Sequence, residues 1–146
     1  MKALLNKLSS PALVLLLLAP VLGELVSGHM APLEFLNPYR FLLLALPYGF
    51  GALVVRELKV RWGKGWLGFL MLAIAYGLFE EGVVARSFYN PEWFELEALA
   101  GYDYWAGFNW TFSFNLVHFH VTVSIFSSVT LAEIWFARRR REPWPV

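Results

Sequence analysis

Long apolar runs broken by short polar stretches dominate the pattern along this chain, and the length of the runs predicts its elements. A helix that crosses a ~30 Å hydrocarbon core needs about 20 mainly apolar residues, each adding about 1.5 Å. Four segments meet that requirement, near Ser10–Ser27, Pro38–Leu58, Trp66–Arg86 and Trp110–Ala137. They predict an all-α, polytopic integral membrane protein, one four-helix transmembrane domain over residues 1–146. Lys2 and Lys7 precede the run Ala12–Ala19 as they would in a signal peptide. The apolar stretch continues to Val26 without a small-x-small cleavage site, so the segment is read as an anchor. Pro20 and Pro47 predict kinks of a kind that neighbouring helices tolerate inside a bundle.

Composition agrees with this class. The chain is 58% hydrophobic and 18% aromatic, above what a soluble domain of this size carries. Without cysteine there is no disulfide framework, thiolate metal site or cysteine nucleophile, and a net charge of +1 gives no reason to expect nucleic acid as a partner. Membrane lipids are the expected surroundings. Basic residues near segment ends stay on the cytoplasmic side. Lys2, Lys7, Arg56, Lys59, Arg61, Lys64 and Arg138 to Arg141 all fall on one side of a four-span topology. Arg40 and Arg86 fall on the other, with eight of the eleven acids. The expectation is a multi-pass protein of the cell membrane with both termini cytoplasmic. Its outer connection, Ser87 to Trp110, puts nine aromatics into 24 residues and reads as an amphipathic, interfacial piece capping the bundle.

Candidate chemistry starts from Glu80 and Glu81, adjacent carboxylates inside an apolar span. An ionisable group at membrane depth costs roughly 2.5 to 3.5 kcal/mol on insertion scales, which makes such a pair a functional candidate. Counting helical rise from the span ends puts Glu24, Glu80, Glu81 and His118 at one depth, roughly 5 to 12 Å below the outer surface. Residues three, four or seven apart share a helix face. Asn115, His118 and Thr122 form one stripe. His120 lies about 200° around from His118, beside Ser113, Ser124 and Ser127, so both histidines should not serve one metal. Ala73, Gly77 and Glu81 share a face whose small residues admit another helix, which makes Glu81 the inward carboxylate and leaves Glu80 to turn toward Arg40 or Arg86. Glu24 reads equally as a helix-end acid or a member of the site. Glu133, one turn before Arg138, reads as a structural pairing at the cytoplasmic end.

At these residues the chain resembles the CAAX-processing and bacteriocin-processing family of intramembrane proteases, which is marked by Glu-Glu-x-x-x-Arg, Phe-x-x-x-His and a later His-x-x-x-Asn or Asp. Glu80-Glu81-Gly82-Val83-Val84-Ala85-Arg86 is similar to the first motif with one residue too many before the arginine, and Phe114 to His118 satisfies the second. The third has no counterpart, since His120 to Ser124 departs at its last position. The resemblance implies that Glu81 or Glu80 activates a water for attack on a peptide bond while His118 and Asn115 polarise the carbonyl. A divalent metal such as zinc, held by Glu81, His118 and Glu24, is the alternative use of the same groups. Two further readings stand beside these. In one the chain is a noncatalytic accessory subunit of a larger membrane partner, or a homo-oligomer, with its polar groups facing outward. In the other Glu24, Glu80, Glu81 and His118 handle protons or cations. Convergence of the carboxylates inside the bundle separates the enzyme reading from the accessory one.

Overall fold

The computed structural model describes residues 10–93, 96 and 102–144. Lys2, Lys7, Phe94, Glu95 and Glu97 lie outside the described residues. Helix α1 is Pro11–Val26, α3 Pro38–Arg61, α4 Trp66–Ala85 and α5 Trp110–Trp135. A short α2, Pro32–Phe35, sits in the first connection. Helices α3, α4 and α5 are long and apolar enough to cross a membrane, whereas α1 is apolar but shorter. Starts are set by local chemistry. Asn37 precedes Pro38 and its side chain accepts from the N–H groups of Tyr39 and Arg40, and Asn109 accepts from that of Phe112.

Each long helix widens into π-type turns in part of its length: Val21–Val26, Ala45–Phe50, Glu80–Ala85 and His120–Ser127. Two of these follow or contain the prolines expected to kink the chain, because proline lacks the N–H that an α-turn needs and a locally wider winding absorbs the break. At the wider turn of Ala45–Phe50 the Pro47 carbonyl accepts both the Gly51 N–H and, from the neighbouring helix, the Tyr76 hydroxyl at 3.1 Å. The other two open with Glu80-Glu81 and with His120, and Glu24 lies in the first of the four.

Small residues set the helix spacing. A Cβ on Gly49 would lie 2.4 Å from the Leu16 carbonyl oxygen, so α1 and α3 meet backbone to backbone. Between the helices lies a core of Leu15, Tyr48, Ala52, Phe69, Ala73, Val121, Ile125 and Val129, with Phe69 stacked on Phe126 at 4.3 Å. The outward faces are the apolar ones: Leu42, Leu46, Val54, Met71, Phe79, Phe114, Ile134 and Trp135 are exposed. Arg56, Glu80, Glu81, Ser113, His120, Ser124 and Ser128 are buried.

The connection between α4 and α5 opens with a 3-10 turn, Ser87–Tyr89, and carries a hairpin just before α5. Strand β1, Tyr104–Trp105, pairs antiparallel with β2, Phe108–Asn109. The two-residue loop Ala106–Gly107 has positive φ at both positions (54° and 78°), as a turn matching strand twist demands. Phe108 packs against Phe88, Tyr89 and Trp110 at 5.3, 5.5 and 4.6 Å.

Ion pairing departs from expectation in three places. Arg40, in the first turn of α3, pairs at 2.9 Å with Glu34 on the first connection, both exposed, and is not paired with Glu80. Glu133 pairs with Lys59 at 2.8 Å and lies 3.5 Å from Arg56, both on α3; the Arg138 partner expected from helical spacing is replaced because the helix ends at Trp135. Arg56, expected among the basic anchors, is 0% exposed and bound to Glu57 at 2.6 Å.

Candidate functional site

Glu80 and Glu81 open the π-type stretch of α4, and His120 opens that of α5. The helices can come this close because of Gly77: a Cβ there would sit 3.2 Å from His120 Cβ and 3.4 Å from Val117 Cα. The imidazole is thereby laid against both carboxylates. His120 Nε2 is 2.7 Å from Glu81 Oε1 and 2.9 Å from Glu80 Oε2. One ring nitrogen carries at most a single N–H, so it can serve only one of the two carboxylates at a time, and Glu81 is the nearer. Glu80 Oε2 is close to the nitrogen yet buried without a hydrogen bond among the described residues. At the far side of the ring, Nδ1 meets Ser124 Oγ at 3.1 Å.

The second oxygen of Glu81 is held from the loop. Helix α4 ends at Arg86, a non-glycine residue in the left-handed region (φ 59°, ψ 25°), whose N–H returns to the Glu81 carbonyl. That reversal drops Ser87 beneath the helix end, where its Oγ donates to Glu81 Oε2 at 2.5 Å. Glu81 is thus held at both oxygens, Oε1 by His120 and Oε2 by Ser87, whereas Glu80 Oε2 lies beside the imidazole without a hydrogen bond of its own. Arg86 itself is exposed, so its structural role is the turn.

A cavity of about 160 Å³ adjoins the trio, lined among others by Glu24, His29, Tyr48, Glu80, Glu81 and His120. Tyr48 hydrogen-bonds Glu24 from within the core, and its ring lies 5.6 Å from that of His120. Tyr76 stands edge-on to the same imidazole at 5.8 Å. The space admits several water molecules and has the polar partners to hold them.

The structure therefore brings together Glu80, Glu81 and Glu24, but with His120 in place of His118. His118, Asn115 and Thr122 are exposed on the opposite face of α5, so the expected stripe points away from the carboxylates. Glu80 is not turned toward Arg40 or Arg86 and reaches the same nitrogen as Glu81. The signal that identifies the inner face was present in the small residues Ser113, Ser124, Ser128 and Ala132, all buried on the side of His120. Small residues mark where helices meet, whereas a polar stripe does not. Ser87 and Tyr48 carried no such signal, since only the turn at Arg86 and the packing of α3 deliver them.

Chemically the trio is short of positive charge. His120 supplies at most one against two carboxylates, and a buried carboxylate without a partner is costly. Two states relieve this: a proton shared within the cluster, or a cation. The carboxylate and imidazole donor atoms lie within 4.8 Å of one another, close enough for one divalent ion. Comparisons with family models, curated proteins and solved structures gave no match.

Proposed function

We propose that this chain is a multi-pass membrane protein in which Glu80, Glu81 and His120 form a hydrolytic centre of the intramembrane-peptidase kind. The observation that carries the reading is the convergence of all three side chains inside the bundle, beside a cavity, with one carboxylate oxygen unpartnered. Membrane residence is supported by the inverted distribution of polarity, with apolar side chains on the outside of the spans and the costly polar ones within. The choice of a peptide bond as substrate rests on the resemblance around Glu80 and Glu81, with His118 and Asn115 removed from the mechanism by their outward face.

In this mechanism water in the cavity donates its proton to Glu80 Oε2 as its oxygen attacks the carbonyl carbon. The carbon–nitrogen bond then breaks and the departing amine takes a proton from the trio, whose Nε2–H lies within 3 Å of both carboxylates. Glu81, fixed by Ser87, orients His120. A second reading, a divalent cation such as zinc on the same three residues with Glu24 on the cavity wall, is favoured by the close donor set. It requires Nε2 to give up its proton, so metal retention would weaken as pH falls.

The test uses Glu80→Gln, Glu81→Gln, His120→Ala and His118→Ala in purified protein, with metal content measured beside cleavage of membrane-inserted peptides. Loss of cleavage in the first three and normal rates in His118→Ala are expected. Metal that leaves with Glu81→Gln and His120→Ala assigns the cation as part of the centre. Normal cleavage in His120→Ala would overturn the assignment. An accessory subunit, which needs these groups on the outside, has less support, because they face the bundle interior.

A further inference from the structure

The opposite end of the bundle holds a second polar construction that the hydrolytic centre does not use. After α5 the chain turns through Ala137–Arg139 and folds back over the end of α3. Trp144 is buried there, 3.6 Å from the guanidinium carbon of Arg56. Its N–H donates to Glu57 Oε1 at 2.9 Å and its indole N–H to the Arg139 carbonyl at 3.0 Å. Arg56 in turn donates to the carbonyls of Arg140 and Arg139, at 2.9 and 3.3 Å. Residues 139–144 are therefore pinned, and they line up the Arg140 and Arg141 backbone across from the α3–α4 turn.

Between these parts lies a cavity of about 490 Å³ lined by Lys59, Lys64, Arg140, Arg141 and Glu133, with Val60 and Gly63. The lining holds four cationic residues and one acidic one, and that carboxylate is already taken by Lys59. Among the described residues no carboxylate pairs with Lys64, Arg140 or Arg141. The cavity is thus built for an anion. Lys64 also belongs to a second, apolar groove of about 320 Å³ formed with Trp62, Gly68, Met71 and Leu72 along α4. Exposed Trp62 and Trp66 mark this level as the headgroup zone of a spanning bundle.

A phosphate site joined through one lysine to an apolar groove matches an amphiphile better than a soluble anion. We propose that this end of the protein binds one anionic phospholipid, its phosphate against Lys64, Arg140 and Arg141 and an acyl chain along Trp62, Gly68 and Met71. Arginine pairs with phosphate oxygens in a fork, and basic pockets at helix ends hold anionic headgroups. The proposal rests on membrane residence and is independent of the chemistry at Glu80.

The experiment is thermal unfolding of the full purified chain in mild detergent with added phosphatidylglycerol, phosphatidylcholine or inorganic phosphate, with native mass spectrometry of the same samples. Phosphatidylglycerol is expected to raise the Tm by several degrees and to remain bound as one adduct, while the other two do neither. The double variant Arg140→Gln/Arg141→Gln should lose both effects. Arg138→Gln, which removes a charge outside the cavity, should keep them. A loss in Arg138→Gln equal to that in the double variant would reduce the effect to diffuse attraction and overturn the site. An equal rise with phosphatidylcholine, or a rise reproduced by inorganic phosphate alone, would overturn the lipid assignment. Resistance of the chain to alkaline carbonate extraction reads membrane residence separately: a chain that washes off fails that premise, and a resistant chain without lipid preference fails this proposal alone.

Discussion

His118 and His120 are two positions apart on α5 and end on opposite sides of it, one exposed and one locked between two carboxylates and a serine. What separates them is packing, since both are equally polar and equally deep along the helix. The neighbours of Glu81 carry two predictions. Ser87 is a positioning residue: Ser87→Ala should lower kcat about 10- to 100-fold, the usual effect of losing a group that orients a site residue. Ser87→Thr, which keeps the hydroxyl, should restore most of it in steady-state peptide cleavage. Arg86 holds a left-handed turn that costs a non-glycine residue roughly 1–2 kcal/mol. Arg86→Gly should therefore leave cleavage intact and stability equal or higher in a denaturant titration. A large loss of activity would mean that the guanidinium acts on the carboxylates after all.

Among the elements, the tightest joint is that of α1 on α3. Gly49→Ala forces a methyl to within 2.4 Å of a backbone oxygen, which no rotamer change relieves. It should destabilise the protein by about 1–3 kcal/mol, seen as a lower midpoint of unfolding. At the basic end, Arg56 ties Glu57, the carbonyls of Arg139 and Arg140 and the Trp144 ring into one unit. Glu57 keeps Arg61 and the Trp144 N–H in Arg56→Ala, but the Arg139 and Arg140 carbonyls and the Trp144 ring lose the guanidinium, which should cost about 1–3 kcal/mol. Proteolysis of the C-terminal segment, released from its anchor, should accelerate in the same variant. Neither joint involves the Glu80 cluster, so cleavage per folded molecule should persist in both variants.

For the whole molecule, the arrangement of charge predicts which end faces the cytoplasm. The chain contains no cysteine, so single-cysteine variants report without background. A cysteine at Gly63, beside the basic turn, should react only with reagents that enter the cell. One at Asn90, on the hairpin side, should react from outside. The reverse pattern would place the Glu80 cavity toward the cytoplasm and move the expected substrate to that face.

The length of the apolar runs is a property of the sequence alone, and three of the predicted spans recur as helices long and apolar enough to cross a membrane because helix length depends only on local winding and composition. The doublet Glu80-Glu81 was legible for the same kind of reason, since charge inside an apolar span needs no partner to be noticed. Which face of α5 turns inward was decided by tertiary structure, because rotation of a helix is set by the fit of Gly77 against Val117 and His120 and not by the polarity of its stripes. The hairpin at Ala106–Gly107, the placement of Ser87 under Glu81 and the exchange of Arg138 for Lys59 as partner of Glu133 also depend on contacts between distant segments or on turns at helix ends. Spacing along one helix carries no record of those contacts, so the candidate residues were readable singly and their assembly was not.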